Sequence, residues 1–141
     1  MNWEEKNILV TGGNGFLGSR LIEMLKLFNP KSISSPSSNE FDLRSKENCE
    51  HVTKNIDIVF HLAAHVGGIG LNKEKPGELF YDNILMGTYL LDEARKNNVE
   101  KFVTLGTMCS YPRNTSQPIK EESLWDGYPE HVTASYGLAK K

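Results

Sequence analysis

Apolar positions along the chain fall in two rhythms, short continuous runs and longer stretches at helical spacing. Asn7 to Thr11 is a short β-rich run that stops at Gly12-Gly13. From Phe16 to Phe28 the apolar residues Phe16, Leu17, Leu21, Ile22, Leu25 and Phe28 recur at helical intervals, and Asn29-Pro30 ends that helix. Lys31 to Ser38 is serine-rich; its first half predicts a short strand and its second half a loop. Ser45 to Val52 is a weak helix. Asp57 to His61 is a buried strand entering a small-residue turn, Leu62-Ala63-Ala64. Pro76 fits an early helical position. A long helix follows over Glu78 to Asn98, with Leu79, Phe80, Ile84, Leu85, Leu90, Leu91 and Ala94 as its apolar positions. Phe102 to Leu105 is a strand halted by Gly106. Residues 112–131 show little periodicity and read as loop, and Ala134 to Lys141 opens a further helix.

The order β-α-β-α-β-α-β with continuous apolar strands predicts a parallel sheet covered on both faces. Its crossovers should be right-handed. This is an α/β, doubly wound, Rossmann-type sheet, and such sheets bind ligands at the carboxyl ends of their strands. The 141 residues are expected to form one domain. No internal repeat is present.

Composition narrows the partners. Charged residues make up 24% and the net charge is −2, a balance that speaks against a nucleic-acid binder. No apolar run reaches the roughly 18–20 residues of a membrane span. The first residues carry acids where a signal peptide would be basic. Two cysteines, Cys49 and Cys109, make no disulfide framework. The expectation is a cytoplasmic protein with reduced thiols, without nucleic-acid or membrane partners.

Candidate chemistry begins at Gly12-Gly13-Asn14-Gly15-Phe16-Leu17-Gly18, which follows the first strand and opens the first helix. A tight strand-to-helix turn needs a residue that tolerates positive φ. Close approach of a pyrophosphate, and of helix to strand, needs positions without Cβ. Exposed N–H groups and the helix dipole then favour phosphate. These seven residues are candidate dinucleotide-binding positions. A P-loop is excluded, because no Gly-Lys-Ser/Thr follows. After the second strand, Ser34 to Ser38 offers neither an acid for a ribose 2′-hydroxyl nor a base for a 2′-phosphate. The missing acid favours NADP over NAD, with serine hydroxyls and backbone amides receiving the phosphate; an ordinary serine-rich loop is the alternative. Asp42-Leu43 lies where the adenine end of a cofactor could be contacted, or is an ordinary helix-starting acid.

Tyr136 and Lys140 are one helical turn apart on one face. A phenol titrates near ~10, too high for efficient proton exchange at neutral pH, and a neighbouring ammonium lowers that value. Such a tyrosine can give a proton to a carbonyl oxygen as hydride arrives at carbon.

The glycine turn, the HLAA of His61 to Ala64, Asn83 in the long helix and the YGLAK of Tyr136 to Lys140 together resemble the extended short-chain dehydrogenase/reductase superfamily over essentially the whole chain. Within it, Ala64 to Ile69 (AHVGGI) and Leu105 to Pro112 (LGTMCSYP) are similar to the GDP-L-fucose synthase family. The resemblance implies an NADPH-dependent epimerase/reductase acting on GDP-4-keto-6-deoxy-mannose. It implies that Thr107 polarises the C4 carbonyl and Tyr136 protonates the resulting alkoxide. Lys140 would tune the tyrosine and hold the nicotinamide ribose. Cys109 would exchange protons at C3 and C5, beside a ketone that acidifies both positions. Leu62, Ala63, Ala64, Leu105 and Gly106 would join the glycine turn, Tyr136 and Lys140 in contacting the cofactor. The alternatives are an NAD-dependent sugar-nucleotide 4-epimerase or 4,6-dehydratase, or a dinucleotide-binding module without turnover. A dehydratase would show Asp-Glu where this chain has Met108-Cys109.

His61 and His65 lie at a strand end and a turn rather than on one helix, and Cys49 and His51 are isolated, so no metal is expected. Members of the superfamily continue for about as long again past the position of Lys140. The expectation is therefore a fragment, whose substrate domain and epimerisation histidine come from a missing half. It would be a homodimer in full-length form, or be completed by a separate chain. Alone it would keep dinucleotide affinity but catalyse poorly.

Overall fold

The computed structural model describes residues 2–141. The chain divides into two units, Met1–Ala64 with Leu85–Thr104, and His65–Ile84 with Leu105–Lys141.

The first unit holds the sheet. Its strands are β1 (Asn7–Thr11), β2 (Ser32–Ser34), β3 (Ile58–His61) and β4 (Lys101–Thr104), all parallel in the order β2-β1-β3-β4. The direction of strand addition reverses between β1 and β3, the kind of place where open α/β sheets take ligands. In β1, Ile8 pairs with Ile33 on one side and with Ile58 on the other.

Successive strand residues point to opposite faces, and this divides the core in two. Ile8, Val10 and Ile58 pack with Leu25 on one face, beneath α1 (Phe16–Lys26). Leu9 and Val59 pack on the other with Cys49 and Val52 of α2 (Lys46–Thr53) and with Leu90 and Ala94 of α4 (Pro76–Lys96). Each fully buried aliphatic side chain contributes about 1.5–3 kcal/mol. A strand buried on both faces has no room for polar alternation, which is why β1 reads as a continuous apolar run.

Helix ends follow their local chemistry. Ser45 Oγ accepts from the Asn48 N–H at 3.3 Å and caps α2. Asn29, Asn55 and Asn98 stand just beyond α1, α2 and α4 at φ of 47°, 57° and 58°, where asparagine is the usual substitute for glycine.

The second unit contains α3 (Ile69–Glu74), the first half of α4 and α5 (Ala134–Ala139), with 3-10 turns at Met108–Ser110 and Glu121–Trp125. α3 is absent from the sequence reading. At six residues, begun at Gly68 and interrupted by Gly70, it is too short to display a period. The region 112–131, read as loop, contains the Glu121–Trp125 turn and a bridge between Pro112 and Pro129. The long helix begins at Pro76 and ends at Lys96, two residues earlier at each end than its apolar pattern indicates. Among the described residues, no helix is long and apolar enough to cross a membrane.

Candidate active site

In the first unit the glycine turn is held by backbone packing. Gly12 has φ +70°, and a Cβ there would stand 2.8 Å from Ala63 N. A Cβ on Gly18 would run into the carbonyl of Gly12, and one on Gly13 into Ser35 Oγ. Close approach therefore requires glycine at Gly12, Gly13 and Gly18, whereas the GxxGxxG spacing picks out Gly12, Gly15 and Gly18. Gly15, the N-cap of α1, is the open one, with only Gly12 O at 3.2 Å from its virtual Cβ. The turn is tied to the end of β3 by Leu62 N–H donating to Thr11 O at 3.2 Å and Ala63 N–H donating to Thr11 Oγ1 at 3.2 Å. The same hydroxyl pairs with His61 Nδ1 at 2.8 Å. Gly12, Leu62 and Ala63 are thus brought together at the carboxyl ends of β1 and β3, with Ala64 closing the unit. Phe16 and Leu17 open α1 exposed.

Ser35, just past β2, is partly buried; its hydroxyl oxygen is shielded against the glycine turn and has no partner. The sequence names the serine run but not which serine matters; only the turn of Gly13 toward β2 singles out Ser35. An unpaired buried hydroxyl at a Cβ-free turn fits a dinucleotide with one more acceptor or donor to satisfy it. The Asp42 carboxylate is engaged by Arg44 Nη2 at 2.8 Å, and this hydrogen bond holds its pKa below the ordinary value. Leu43 is buried, and its carbonyl accepts the Cys49 thiol at 3.2 Å. Burial pushes that thiol up to about 12, so Cys49 is a core residue and not a reactive one.

In the second unit, Thr107 caps the turn that carries the cysteine: its Oγ1 accepts the Cys109 N–H at 3.2 Å. Accepting there leaves its hydroxyl proton available to a carbonyl oxygen. α5 is seated on this turn. Ser110 Oγ donates to Gly137 O at 2.7 Å, and a Cβ at Gly137 would run into the Cys109 carbonyl. The glycine after Tyr136 is thus what lets the tyrosine helix meet the cysteine turn. Ser110, buried, was not recognised from sequence; its place beside the cysteine gives no signal of a bond to residue 137. Gly106 and Leu105 precede Thr107 in open space and half exposed respectively.

Tyr136 is raised above its ordinary pKa by burial, with the thiol of Cys109 acting in the same direction. Lys140 is lowered by burial. The helical spacing alone predicts a phenol depressed by the ammonium. Here burial sets the outcome, so the phenol is a neutral proton donor at neutral pH.

The turn after β3 is locked by Asn83 of α4. Its Oδ1 accepts His65 N–H at 3.0 Å, and its Nδ2 donates to His65 O at 2.8 Å and to Leu79 O at 2.7 Å. Beside it, buried Asp82 accepts from His65 Nδ1 at 2.8 Å. Two polar residues in succession within an apolar helix were the available signal for this arrangement.

The sequence profile described as the NAD dependent epimerase/dehydratase family matches residues 8–141. The chain belongs to that family. A GDP-L-colitose synthase from Yersinia pseudotuberculosis is 33% identical over 138 residues, covering 94% of this chain and 44% of the relative. A GDP-L-fucose synthase from Sinorhizobium fredii is 33% identical over 137 residues, covering 96% of this chain and 43% of that one. The structure of a GDP-mannoheptose C4 reductase from Campylobacter jejuni with NADP bound superposes with a TM-score of 0.91 at 27% identity, over 97% of this chain and 44% of that one. The chain spans less than half the length of these relatives.

Proposed function

We propose that this chain is the cofactor-binding part of an NADPH-dependent nucleotide-sugar epimerase/reductase that converts GDP-4-keto-6-deoxy-mannose to GDP-L-fucose. The observation that carries the reading is that a capping hydroxyl, a thiol and a partly buried phenol, Thr107, Cys109 and Tyr136, lie in one unit, with α5 seated on the turn that bears the first two. All three similar proteins are named for GDP-linked sugars, which supports the substrate class.

Gly12 to Gly18 hold the diphosphate on backbone amides, with Leu62, Ala63 and Ala64 beside them. Asp42 and Leu43 serve the adenine end, and Leu105, Gly106 and Lys140 the nicotinamide end. The unpaired hydroxyl of Ser35 and the lack of an acid after β2 favour the 2′-phosphate of NADP. NADPH, once bound by these residues, would supply the hydride that reduces the C4 carbonyl. Cys109 exchanges protons on the carbons beside the ketone, where loss of a proton is made easy by the carbonyl. Thr107 hydrogen-bonds the carbonyl oxygen, and Tyr136 gives that oxygen its proton. Residues 1–141 act as one domain within a cytoplasmic enzyme, completed by the remaining half and dimeric in that form.

The test combines the chain with a C-terminal half, supplied in the same polypeptide or separately. Consumption of NADPH that depends on GDP-4-keto-6-deoxy-mannose is expected. Turnover of a UDP-sugar with no net NADPH oxidation would replace this reading with an NAD-retaining 4-epimerase.

A further inference from the structure

The opening of the second unit carries a cluster that the proposed reaction does not use. His65 and Asp82 are joined at 2.8 Å, and Glu78 stands one turn before Asp82 on the same face of α4. One ligand atom from each of His65, Glu78 and Asp82 lies within 4.8 Å of the other two. The set is graded in burial: the Asp82 side chain is 6% exposed, that of His65 30% and that of Glu78 45%. It is also preorganised, because Asn83 grips both the N–H and the carbonyl of His65 and so holds the imidazole's backbone to the helix.

Two carboxylates and one imidazole bring their ligand atoms together in one place, with Asp82 bonded to His65 and Glu78 ion-paired to Lys75. One nitrogen and two oxygens are the donor types of zinc and its transition-metal neighbours; calcium and magnesium prefer oxygen alone. We infer that His65, Glu78 and Asp82 bind a divalent transition-metal ion, with at least one coordination position left for water or an anionic oxygen. Three protein ligands leave the centre open, as in exchangeable zinc sites. Metal bonds of about 2.0 Å require donor atoms roughly 3.3 Å apart. His65 and Asp82 separate slightly, and Glu78 rotates inward from its ion pair with Lys75 at 3.1 Å. His65 Nδ1 gives up its proton to solvent as the ion takes the ring nitrogen. The pair His61 and His65, which sequence spacing brings to mind, is not the site: His61 bonds Thr11 in the first unit, and the carboxylates that matter come from α4.

The experiment titrates the full chain with Zn2+ by calorimetry and with Co2+ by visible absorption, at neutral pH and with thiols kept reduced. A single saturable site is expected. Glu78→Gln alters an exposed side chain and preserves the fold, and His65→Gln removes the nitrogen; each should weaken binding by at least about tenfold, whereas Cys109→Ser should not. Circular dichroism verifies that the variants remain folded. The assignment falls if the wild-type chain binds neither ion. It falls equally if Glu78→Gln binds as tightly as wild type, or if the cobalt complex shows the charge-transfer band of a thiolate ligand. None of these readouts depends on turnover, so failure here is separate from failure of the proposed reaction.

Discussion

The glycine turn of the first unit and the Thr107 to Lys140 region of the second are built from different materials. The glycine turn is backbone against backbone: Gly12 meets Ala63, Gly18 meets Gly12, and Ile8 to Thr11 of β1 leading into it are buried. The Thr107 region is side chains on short elements, a 3-10 turn of three residues and a helix of six, joined by a few polar bonds. A helix of that length is not stable unaided. The first kind of construction ties binding to stability, because one close contact serves both. The second separates chemistry from stability, because a functional group can be exchanged while its backbone stays.

The sharpest test of this contrast is Tyr136→Phe. Removing the hydroxyl should lower turnover of the completed enzyme by about 10²–10⁴-fold. Dinucleotide affinity and thermal midpoint should hardly move. A parallel loss of cofactor binding would show that the phenol is structural. At the opposite pole, Leu9→Ala empties a fully buried position in β1. It should cost about 2–5 kcal/mol in urea unfolding, with binding lost only as the fold is lost.

A pair of glycine substitutions comes next. Gly12→Ala places a methyl against Ala63 at positive φ, and Gly137→Ala places one against the Cys109 carbonyl. Each should cost about 1–3 kcal/mol. Gly12→Ala should abolish dinucleotide binding. Gly137→Ala should spare it and remove turnover, since only α5 must move. Equal loss of cofactor affinity in both would erase the distinction between the two regions.

The smallest effect is on pH dependence. Asp42, Glu50 and Asp92 have lowered pKa values, chiefly through side-chain hydrogen bonds to Arg44, Lys54 and Lys96, and all lie in the first unit. A depressed carboxylate stabilises above its ordinary value of 3.8 or 4.5 and loses that contribution as pH falls through its folded value. These groups are exposed, so solvent screening keeps the effect small. In the second unit the signs differ. Partly buried Lys140 is lowered, so stability rises as pH climbs toward its ordinary 10.5. Partly buried Tyr136 is raised, so stability falls as pH passes its ordinary 10.0. Amide exchange across pH should show the first unit loosening in acid. In Tyr136→Phe the alkaline fall should vanish and the rise from Lys140 remain.

Much of this protein was legible along the chain. The runs Asn7 to Thr11 and Asp57 to His61 read as strands, which the structure forms at Asn7–Thr11 and Ile58–His61, and the glycines after the first read as a tight turn into α1. Tyr136 and Lys140 could be proposed as a pair because helical spacing is a local property, and the structure places Tyr136 within α5 and Lys140 at its C-cap. What sequence could not supply was anything depending on residues brought together from distant positions. That Ser35, among the serines after β2, abuts Gly13 follows from the pairing of β2 with β1. That Gly137 exists to admit the Cys109 carbonyl follows from how α5 is seated. The phenol's pKa rises rather than falls because burial is a property of the surrounding atoms, and these are assembled only when the chain folds. Periodicity and turn chemistry act over a few residues and are written in order; desolvation and close approach act through space and are not.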